Sequence, residues 1–251
     1  MINRYFIQIS YKGTNYHGWQ IQPNAISVQE VLTKSFSTIL REDIEITGAG
    51  RTDTGVHANF FIAHFDSKKT DLNLKKDFLY KINGILPKDI SVQSVLKVTP
   101  EAHARFDATS RTYHYYIHLQ KDPFLLESSW YYPFKIDLQL MNEASQLLLN
   151  FRDFTSFSKL HTDVKTNNCN VIEAFWTQEN YNLKFTITAD RFLRNMVRAI
   201  VGTLLEVGKG KITIQEFEKI IKTKNRSEAG LSVPAHGLFL ANITYDNRIF
   251  I

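Results

Sequence analysis

One acidic side chain stands out as a candidate for catalysis, in a glycine-rich segment that reads GAGRTDTGVHA from Gly48 to Ala58. Arg51 and Asp53 lie two positions apart there, so their side chains leave an extended backbone on the same side. The guanidinium can then hold the carboxylate ionised and aimed, as a nucleophile or a base requires. A structural ion pair that ties a turn explains this motif equally well. We predict Asp53 as a nucleophile with Arg51 as its ion-pair partner, beside that structural alternative.

The same segment also contains parts of two other motifs. Asp53, Thr54 and Gly55 spell DTG, the tripeptide of aspartic proteases. That mechanism needs two carboxylates that share a proton, and an arginine two residues before the aspartate works against it. The glycines could also cradle a phosphate, but neither a GK[ST] ending nor a GxGxxG opening is present. An aspartic protease is therefore a distant alternative, and a phosphate-binding loop is weakly supported.

The strand TYHYYIHL, from Thr112 to Leu119, offers a candidate for contact with a base. Tyr113 supplies a ring for stacking and a hydroxyl for hydrogen bonding, as the binding of an unpaired base requires. From the strand alone, a core aromatic is the favoured interpretation of Tyr113. His114 and His118 are four residues apart, too distant for one metal ion, and no carboxylate cluster supports a site. We predict no metal.

Basic residues are concentrated around DRFLRNMVRAIVG, which we predict as part of a helix over residues 192–207. Arg191, Arg194 and Arg198 recur at helical spacing beside an apolar stripe, where RNA phosphates could bind. A solvated amphipathic helix is an equally good interpretation. The basic track could be extended by four further residues: Arg105, Arg111, Lys159 and Lys165. The net charge of +5 is compatible with nucleic acid, anionic metabolites or simple solubility, so charge alone does not decide.

The elements that must position these residues follow a repeated order. The predicted strands are 5–11, 44–47, 60–65, 91–98, 112–119, 171–177, 183–189 and 238–245, and the predicted helices 27–39, 74–86, 138–149, 192–207 and 214–222. The order β-α-β-β-α-β occurs twice, with an extra helix near the end, which predicts an α+β fold of two ferredoxin-like halves. We expect these halves, 1–110 with the Asp53 loop and 111–251 with Tyr113 and the basic helix, to join through a mostly antiparallel sheet. An active-site cleft between them is the natural expectation.

Composition limits the class of protein. The chain has 251 residues, 43% of them hydrophobic and 22% charged, which is ordinary for a globular protein and argues against disorder. No run of about 18 apolar residues occurs, and MINRYFIQISYKG is patterned as a strand from the start, so we expect a cytoplasmic chain that does not bind a membrane. The single Cys169 can form neither an internal disulfide nor a thiolate metal site, so we expect it to be a small buried hydrophobe.

Taken together, the motifs resemble the tRNA pseudouridine synthase A family. The similarity runs in order from about residue 5 to residue 245, through these blocks: YKGTNYHGWQIQ, SVQEVL, GAGRTDTGVHA, HARFDATSRTYHYYI, RDFTSF, FLRNMVRAIVGTLLEVGKGK and AGLSVPAHGLFLANITY. The resemblance implies an isomerase without cofactor or metal that converts uridine to pseudouridine in the anticodon stem-loop of tRNA, at tRNA positions 38, 39 and 40. It also implies a homodimer in which one tRNA contacts both subunits across a basic cleft.

The resemblance assigns a role to each of five residues. It implies that Asp53 is the essential aspartate and Arg51 its ion-pair partner, that Tyr113 contacts the target base, that Arg198 is a basic residue facing the site, and that Leu238 is an apolar wall. The chemistry fits, because breaking the glycosidic bond and rejoining the base through C5 needs a reactive carboxylate and an enclosing pocket. Whether the aspartate attacks the sugar, attacks the base or removes a proton on the way to a glycal stays open.

Two departures from the family pattern are mild. Thr54 stands in place of an expected alanine, which should not disturb Asp53, and HTDVKTNNCN at 161–170 is polar where a more basic segment is expected, which leaves the tRNA contacts of that loop open. A catalytically silent RNA-binding protein of the same fold stays an alternative from another functional class. The intact set of Arg51, Asp53 and Tyr113 argues against it.

Overall fold

The computed structural model describes residues 2–159 and 165–251 of the chain. These residues form a mixed α/β fold with nine strands, five α-helices and several short 3-10 turns. They divide into two compact units, of which the first comprises Met1–Thr109 and Leu240–Ile251 and the second Ser110–Phe239. The predicted mixture of helices with a mostly antiparallel sheet is confirmed, while the division of labour between 1–110 and 111–251 stays a prediction.

The strands are β1 (Asn3–Tyr11), β2 (Thr47–Gly48), β3 (His57–Ser67), β4 (Ile90–Val98), β5 (Ala108–His118), β6 (Trp130–Tyr131), β7 (Val171–Glu179), β8 (Asn182–Ala189) and β9 (Leu238–Tyr245). The helices are α1 (Val28–Leu40), α2 (Lys76–Ile85), α3 (Leu138–Leu147), α4 (Met196–Gly208) and α5 (Ile214–Thr223).

In the first unit the strand order is β4-β1-β3-β9. Strand β1 pairs antiparallel with both β3 and β4, and the short β2 pairs with β3. Helices α1 and α2 contact each other. Phe36 of α1 meets Phe65 of β3 edge-on at 5.0 Å and Phe78 of α2 at 5.8 Å. The core of this unit therefore lies between its two helices and the sheet.

The last residues of the chain belong to this first unit. The backbone N–H of Thr99 donates to the carbonyl of Ile249 at 2.9 Å. The Tyr245 hydroxyl donates to the carbonyl of Ala104 at 2.6 Å. Residues Leu240–Ile251 thus complete a unit that the first part of the chain begins.

In the second unit the strand order is β5-β8-β7, and both pairings are antiparallel. Strand β6 adds a short parallel pairing with β5. Helix α3 packs against β7 and α4, and α5 contacts both α3 and α4. Helix α4 is buried along almost its whole length, as its apolar sequence requires. Helix α5 begins at a reciprocal capping box between Thr213 and Glu216. Within the described parts of the chain, no helix is long and apolar enough to cross a membrane.

Most element predictions are confirmed, because hydrophobic spacing marks the buried faces of these helices and strands. All five predicted helices are present, and the strand predicted at 238–245 matches β9 residue for residue. Helix α1 begins after Ser27, whose hydroxyl accepts the Glu30 N–H. Of the strand predicted at 44–47, only Thr47 is in a strand, the two-residue β2, and β6 was not predicted.

The predicted start of the basic helix at Phe192 is wrong. Asn195 adopts a left-handed conformation with φ 66°, so α4 begins only at Met196. An asparagine tolerates this conformation better than most residues, and one such residue interrupts a helix. Arg191 and Arg194 therefore lie in the loop before α4, and the three-arginine stripe along a helix does not exist.

Candidate active site

Asp53 lies in the loop that connects β2 to β3, and its side chain is half-buried. The N–H of Val56 donates to the Asp53 carbonyl at 3.1 Å, which closes a turn in which Gly55 has φ 75°. At the start of the loop the N–H of Ala49 donates to the Ile62 carbonyl at 2.8 Å. Asp53 thus lies in a loop whose start is hydrogen-bonded to β3 and whose end is a closed turn.

A second segment, residues 12–29, braces this loop through backbone atoms. The N–H of Trp19 donates to the Thr52 carbonyl at 3.2 Å, immediately before Asp53. The N–H of Gly55 donates to the Tyr16 carbonyl at 3.4 Å, two residues after it. The bracing segment therefore contacts the loop on both sides of the carboxylate.

Two hydrogen bonds of buried side chains add to this brace. The hydroxyls of Tyr11 and Thr52 share a hydrogen bond of 2.8 Å. The ring Nδ1 of His57, at the start of β3, accepts the N–H of Gly13 at 2.9 Å. Buried hydrogen bonds of this kind fix a backbone because breaking one leaves a polar group without solvent. These two bonds fix Thr52, which precedes Asp53 in the chain, and His57, which follows it.

Glycine is required where the two segments meet. Gly18 has φ +85°, and a Cβ built on it would lie 2.4 Å from the Thr52 carbonyl oxygen. A Cβ on Gly13 would lie 2.0 Å from the Val56 carbonyl oxygen. Gly50, in contrast, has nothing within 4 Å of an added Cβ, so packing alone does not require glycine there.

An aromatic cluster of Tyr11, Trp19 and Phe61 packs against the bracing segment, and the sequence did not predict it. Trp19 is 1% exposed and stacks on Phe61 with ring centroids 4.1 Å apart. Tyr11 contacts the ring of Phe61 at 5.7 Å. The sequence interpretation gave no role to Trp19, which lies between the predicted strand 5–11 and the predicted helix 27–39. The cluster ties the bracing segment to the core of the first unit.

The beginning of the bracing segment, residues 12–16, is hydrogen-bonded to Asp89. Its carboxylate accepts from the Tyr16 hydroxyl at 2.6 Å and from the Asn15 amide at 3.0 Å. Its carbonyl accepts the N–H of Lys12 at 2.9 Å. Burial, with the neighbouring carboxylate, raises the pKa of Tyr16 well above its ordinary value, so this hydroxyl stays a donor at all physiological pH.

Arg51 is exposed at the surface of the Asp53 loop. It precedes Asp53 by two residues in this loop. The predicted pairing of these two side chains stays a prediction. Arg105 is the third predicted site residue in the first unit, in the turn before β5.

The other predicted site residues lie in the second unit. Tyr113 of β5 is half-buried and meets Phe192 edge-on at 5.0 Å. Arg198, in the first turn of α4, donates from Nε to the Val233 carbonyl at 2.7 Å, which fixes the base of its guanidinium. Leu238 begins β9 and is 6% exposed.

The predicted phosphate contacts of this unit are placed as follows. Arg111 donates from Nη1 to the Asp190 carbonyl at 2.8 Å. Arg191 and Arg194 flank Phe192 in the loop before α4, and the Arg194 carbonyl accepts the N–H of Lys159 at 3.1 Å. The polar stretch at 161–170 lies partly outside the described residues.

Cys169 and possible metal ligands are the remaining predicted features of the sequence. Cys169 is buried, and burial raises the pKa of its thiol to about 12, so it is not a nucleophile at neutral pH. In residues 2–159 and 165–251, no three His, Cys, Asp or Glu side chains are grouped so that they could hold a metal ion.

Comparison with known proteins gives a family for this chain. A family model described as tRNA pseudouridine synthase matches residues 7–107 and 144–246. A protein of Bacteroides fragilis named tRNA pseudouridine synthase A is 57% identical over 250 residues, which cover 99% of this chain and 99% of the relative. Proteins with the same name from Parabacteroides distasonis and Bacteroides thetaiotaomicron are 54% and 55% identical, over 99% of this chain and 98% and 93% of theirs. The chain belongs to the tRNA pseudouridine synthase family.

Proposed function

We propose that this chain converts uridine to pseudouridine in the anticodon stem-loop of tRNA, without a cofactor or a metal. The observation that carries the proposal is the identity of 57%, over nearly the whole chain, with a relative named tRNA pseudouridine synthase A. The arrangement around Asp53 supports it, because a carboxylate on a doubly braced turn is held in position before the substrate arrives.

The reaction is an isomerisation in which the product keeps every atom of the uridine except one proton, which exchanges with solvent. The bond between N1 and C1′ breaks, the uracil rotates, and a new bond forms between C5 and C1′. The proton on C5 is then lost to solvent, and N1 gains one. In this proposal Asp53 is the nucleophile or base that acts in the first step of the reaction. The braced loop keeps its carboxylate close to the reacting uridine.

The remaining roles extend this proposal to other side chains. Arg51 orients Asp53, Tyr113 contacts the target base, Arg198 supplies a positive charge, and Leu238 provides an apolar wall. Support comes from the fixed position of the Arg198 side chain on the Val233 carbonyl and from the half-buried ring of Tyr113. The RNA backbone is bound by a set of arginines: Arg105, Arg111, Arg191 and Arg194.

The finer features of the fold and assembly complete the proposal. Each unit is of the ferredoxin-like type, supported in the first unit by the order β1-α1-β2-β3-α2-β4. The functional division runs between 1–110, with the catalytic loop, and 111–251, with the residues that contact the substrate. The protein acts in the cytoplasm as a homodimer, as the family resemblance implies.

The test is release of tritium from tRNA transcripts labelled at uridine C5. The native chain should release tritium, and Asp53→Asn should abolish release while tRNA binding, measured by filter retention, is kept. Asp43→Asn, at an exposed aspartate outside the loop, is the matched control and should release tritium like the native chain. If the native chain binds tRNA but releases no tritium, the proposal fails and a silent RNA-binding protein takes its place.

A further inference from the structure

A tight turn at residues 103–107, just before β5, is held by four hydrogen bonds between its own residues. The ring Nδ1 of His103 accepts the N–H groups of Arg105 and Phe106, at 3.1 and 3.4 Å. The Asp107 carboxylate accepts the N–H of His103 at 2.7 Å, and the Asp107 N–H donates to the His103 carbonyl at 3.1 Å. The turn is therefore closed on itself by two of its own side chains.

One buried and two half-buried side chains of the first unit also hold this turn. The ring Nδ1 of His64, 7% exposed, accepts the N–H of Ala104 at 3.2 Å. The Tyr245 hydroxyl donates to the Ala104 carbonyl, and Arg4 donates to the Ala102 carbonyl at 3.1 Å. The backbone of this turn is therefore rigid, because any change in its conformation would break several of these hydrogen bonds.

This rigid turn presents one large apolar side chain to solvent. Phe106 is 73% exposed. Its ring leans on His103, with centroids 4.3 Å apart and planes inclined by 37°, and the guanidinium carbon of Arg105 lies 5.6 Å from its centroid. A phenylalanine that is held outward on a fixed backbone, beside a cation, offers a flat π-face at little entropic cost to a ligand.

We propose that Phe106, with Arg105 beside it, is a stacking platform for an unpaired nucleobase of the tRNA, separate from the uridine that reacts. The proposal rests on the proposed function for its choice of ligand. Every base has a π-face, so stacking on Phe106 grips the RNA without reading its sequence, and the guanidinium adds a cation–π and a phosphate contact. The chemistry favours an unpaired base because bases within a duplex already stack on their neighbours.

The test compares two changes at Phe106 by the dissociation constant for an RNA stem-loop and for a fully paired duplex of equal length. Phe106→Leu keeps an apolar side chain but removes the ring, and should raise the Kd for the stem-loop about five- to one-hundred-fold. Its Kd for the duplex should change less than about twofold, because stacking contributes nothing there. Phe106→Trp keeps a ring and should bind the stem-loop like the native chain.

Phe124→Leu is the matched control, since Phe124 is an even more exposed phenylalanine, at 92%, in another turn. It should leave both dissociation constants unchanged. The platform is refuted if Phe106→Leu binds the stem-loop like the native chain, if it weakens stem-loop and duplex equally, or if Phe124→Leu weakens stem-loop binding as much.

Tritium release separates this inference from the proposed function. If the native chain releases tritium and Phe106→Leu keeps the native Kd, only the platform fails. If the native chain releases no tritium but Phe106→Leu selectively loses the stem-loop, the platform stands and only the catalytic proposal fails.

Discussion

Replacing Gly18 by alanine tests whether the bracing segment sets the position of Asp53. The added Cβ would lie 2.4 Å from the Thr52 carbonyl oxygen and 3.3 Å from the carbonyl carbon of Asp53. Heavy atoms in comfortable contact are about 3.5 Å apart, so the two backbones must separate by about 1 Å. An alanine at φ +85° adds a conformational cost of about 1–2 kcal/mol, and the overlap adds about 1–3 kcal/mol.

A displacement of about 1 Å at a catalytic group can reduce the rate about a hundredfold. We therefore expect Gly18→Ala to lower the single-turnover rate of tritium release about a hundredfold, with the Kd for tRNA within a few-fold of native. Its free energy of unfolding, from denaturant titration, should fall by about 2–5 kcal/mol, the sum of these two costs. A protein of ordinary stability stays folded after such a loss. The rate is measured without denaturant, at a temperature well below the thermal unfolding midpoint of the variant.

Gly84→Ala makes the same chemical change in α2, where an added Cβ meets nothing within 4 Å. It should keep the native rate and gain about 0.5–1 kcal/mol of stability, because glycine is unfavourable inside a helix. The reasoning is refuted if Gly18→Ala keeps a rate within threefold of native, since the contact with Thr52 then does not position the carboxylate.

Three further predictions follow from buried groups. Tyr11→Phe removes the hydrogen bond to the Thr52 hydroxyl and should cost about 1–2 kcal/mol of stability and lower kcat more than it raises KM. Adding Thr52→Val should cost less than the sum of the two single changes, and strict additivity would contradict a direct contact. Burial lowers the pKa of His64 from 6.5 to about 4, so between these values the unfolded chain binds a proton that the folded chain does not. Stability should therefore fall by about 3 kcal/mol as pH drops from 6.5 to 4, and His64→Asn, which keeps an acceptor, should lose this part of the pH dependence, as denaturant titrations at several pH values would reveal. Cys169 should resist a thiol reagent in native buffer at pH 8 and react fully in denaturant, and rapid native labelling would show that the thiol is accessible.

Local sequence patterns predicted most of the elements of this fold, since apolar periodicity reflects which face of a helix or strand is buried. These patterns gave the wrong boundary where the conformation of a single residue sets the start of a helix. Asn195 adopts a left-handed conformation and so delays α4, and no periodic pattern marks that choice. The strand predicted at 44–47 contains Ile44 and Ile46, which are buried without forming a ladder.

The residues of the candidate site also fall into those that the sequence could indicate and those that it could not. Asp53 could be singled out because a carboxylate among glycines in a polar loop is informative by itself. The contributions of Tyr11, Gly18 and Trp19 could not, because each depends on a contact with residues about thirty to forty positions later in the chain. Phe106 likewise became notable only through its exposure and the hydrogen bonds beneath it.

The place of residues 240–251 in the first unit has a consequence for synthesis on the ribosome. Strand β3 finds its neighbour β9 only after the whole of Ser110–Phe239 has been translated. At about 5–20 residues per second, that interval is on the order of ten seconds. During it the nascent first unit exposes an unpaired edge of β3, a surface on which other extended chains can pair. Chaperone contact with the emerging chain should therefore be concentrated in this interval and end when β9 leaves the exit tunnel.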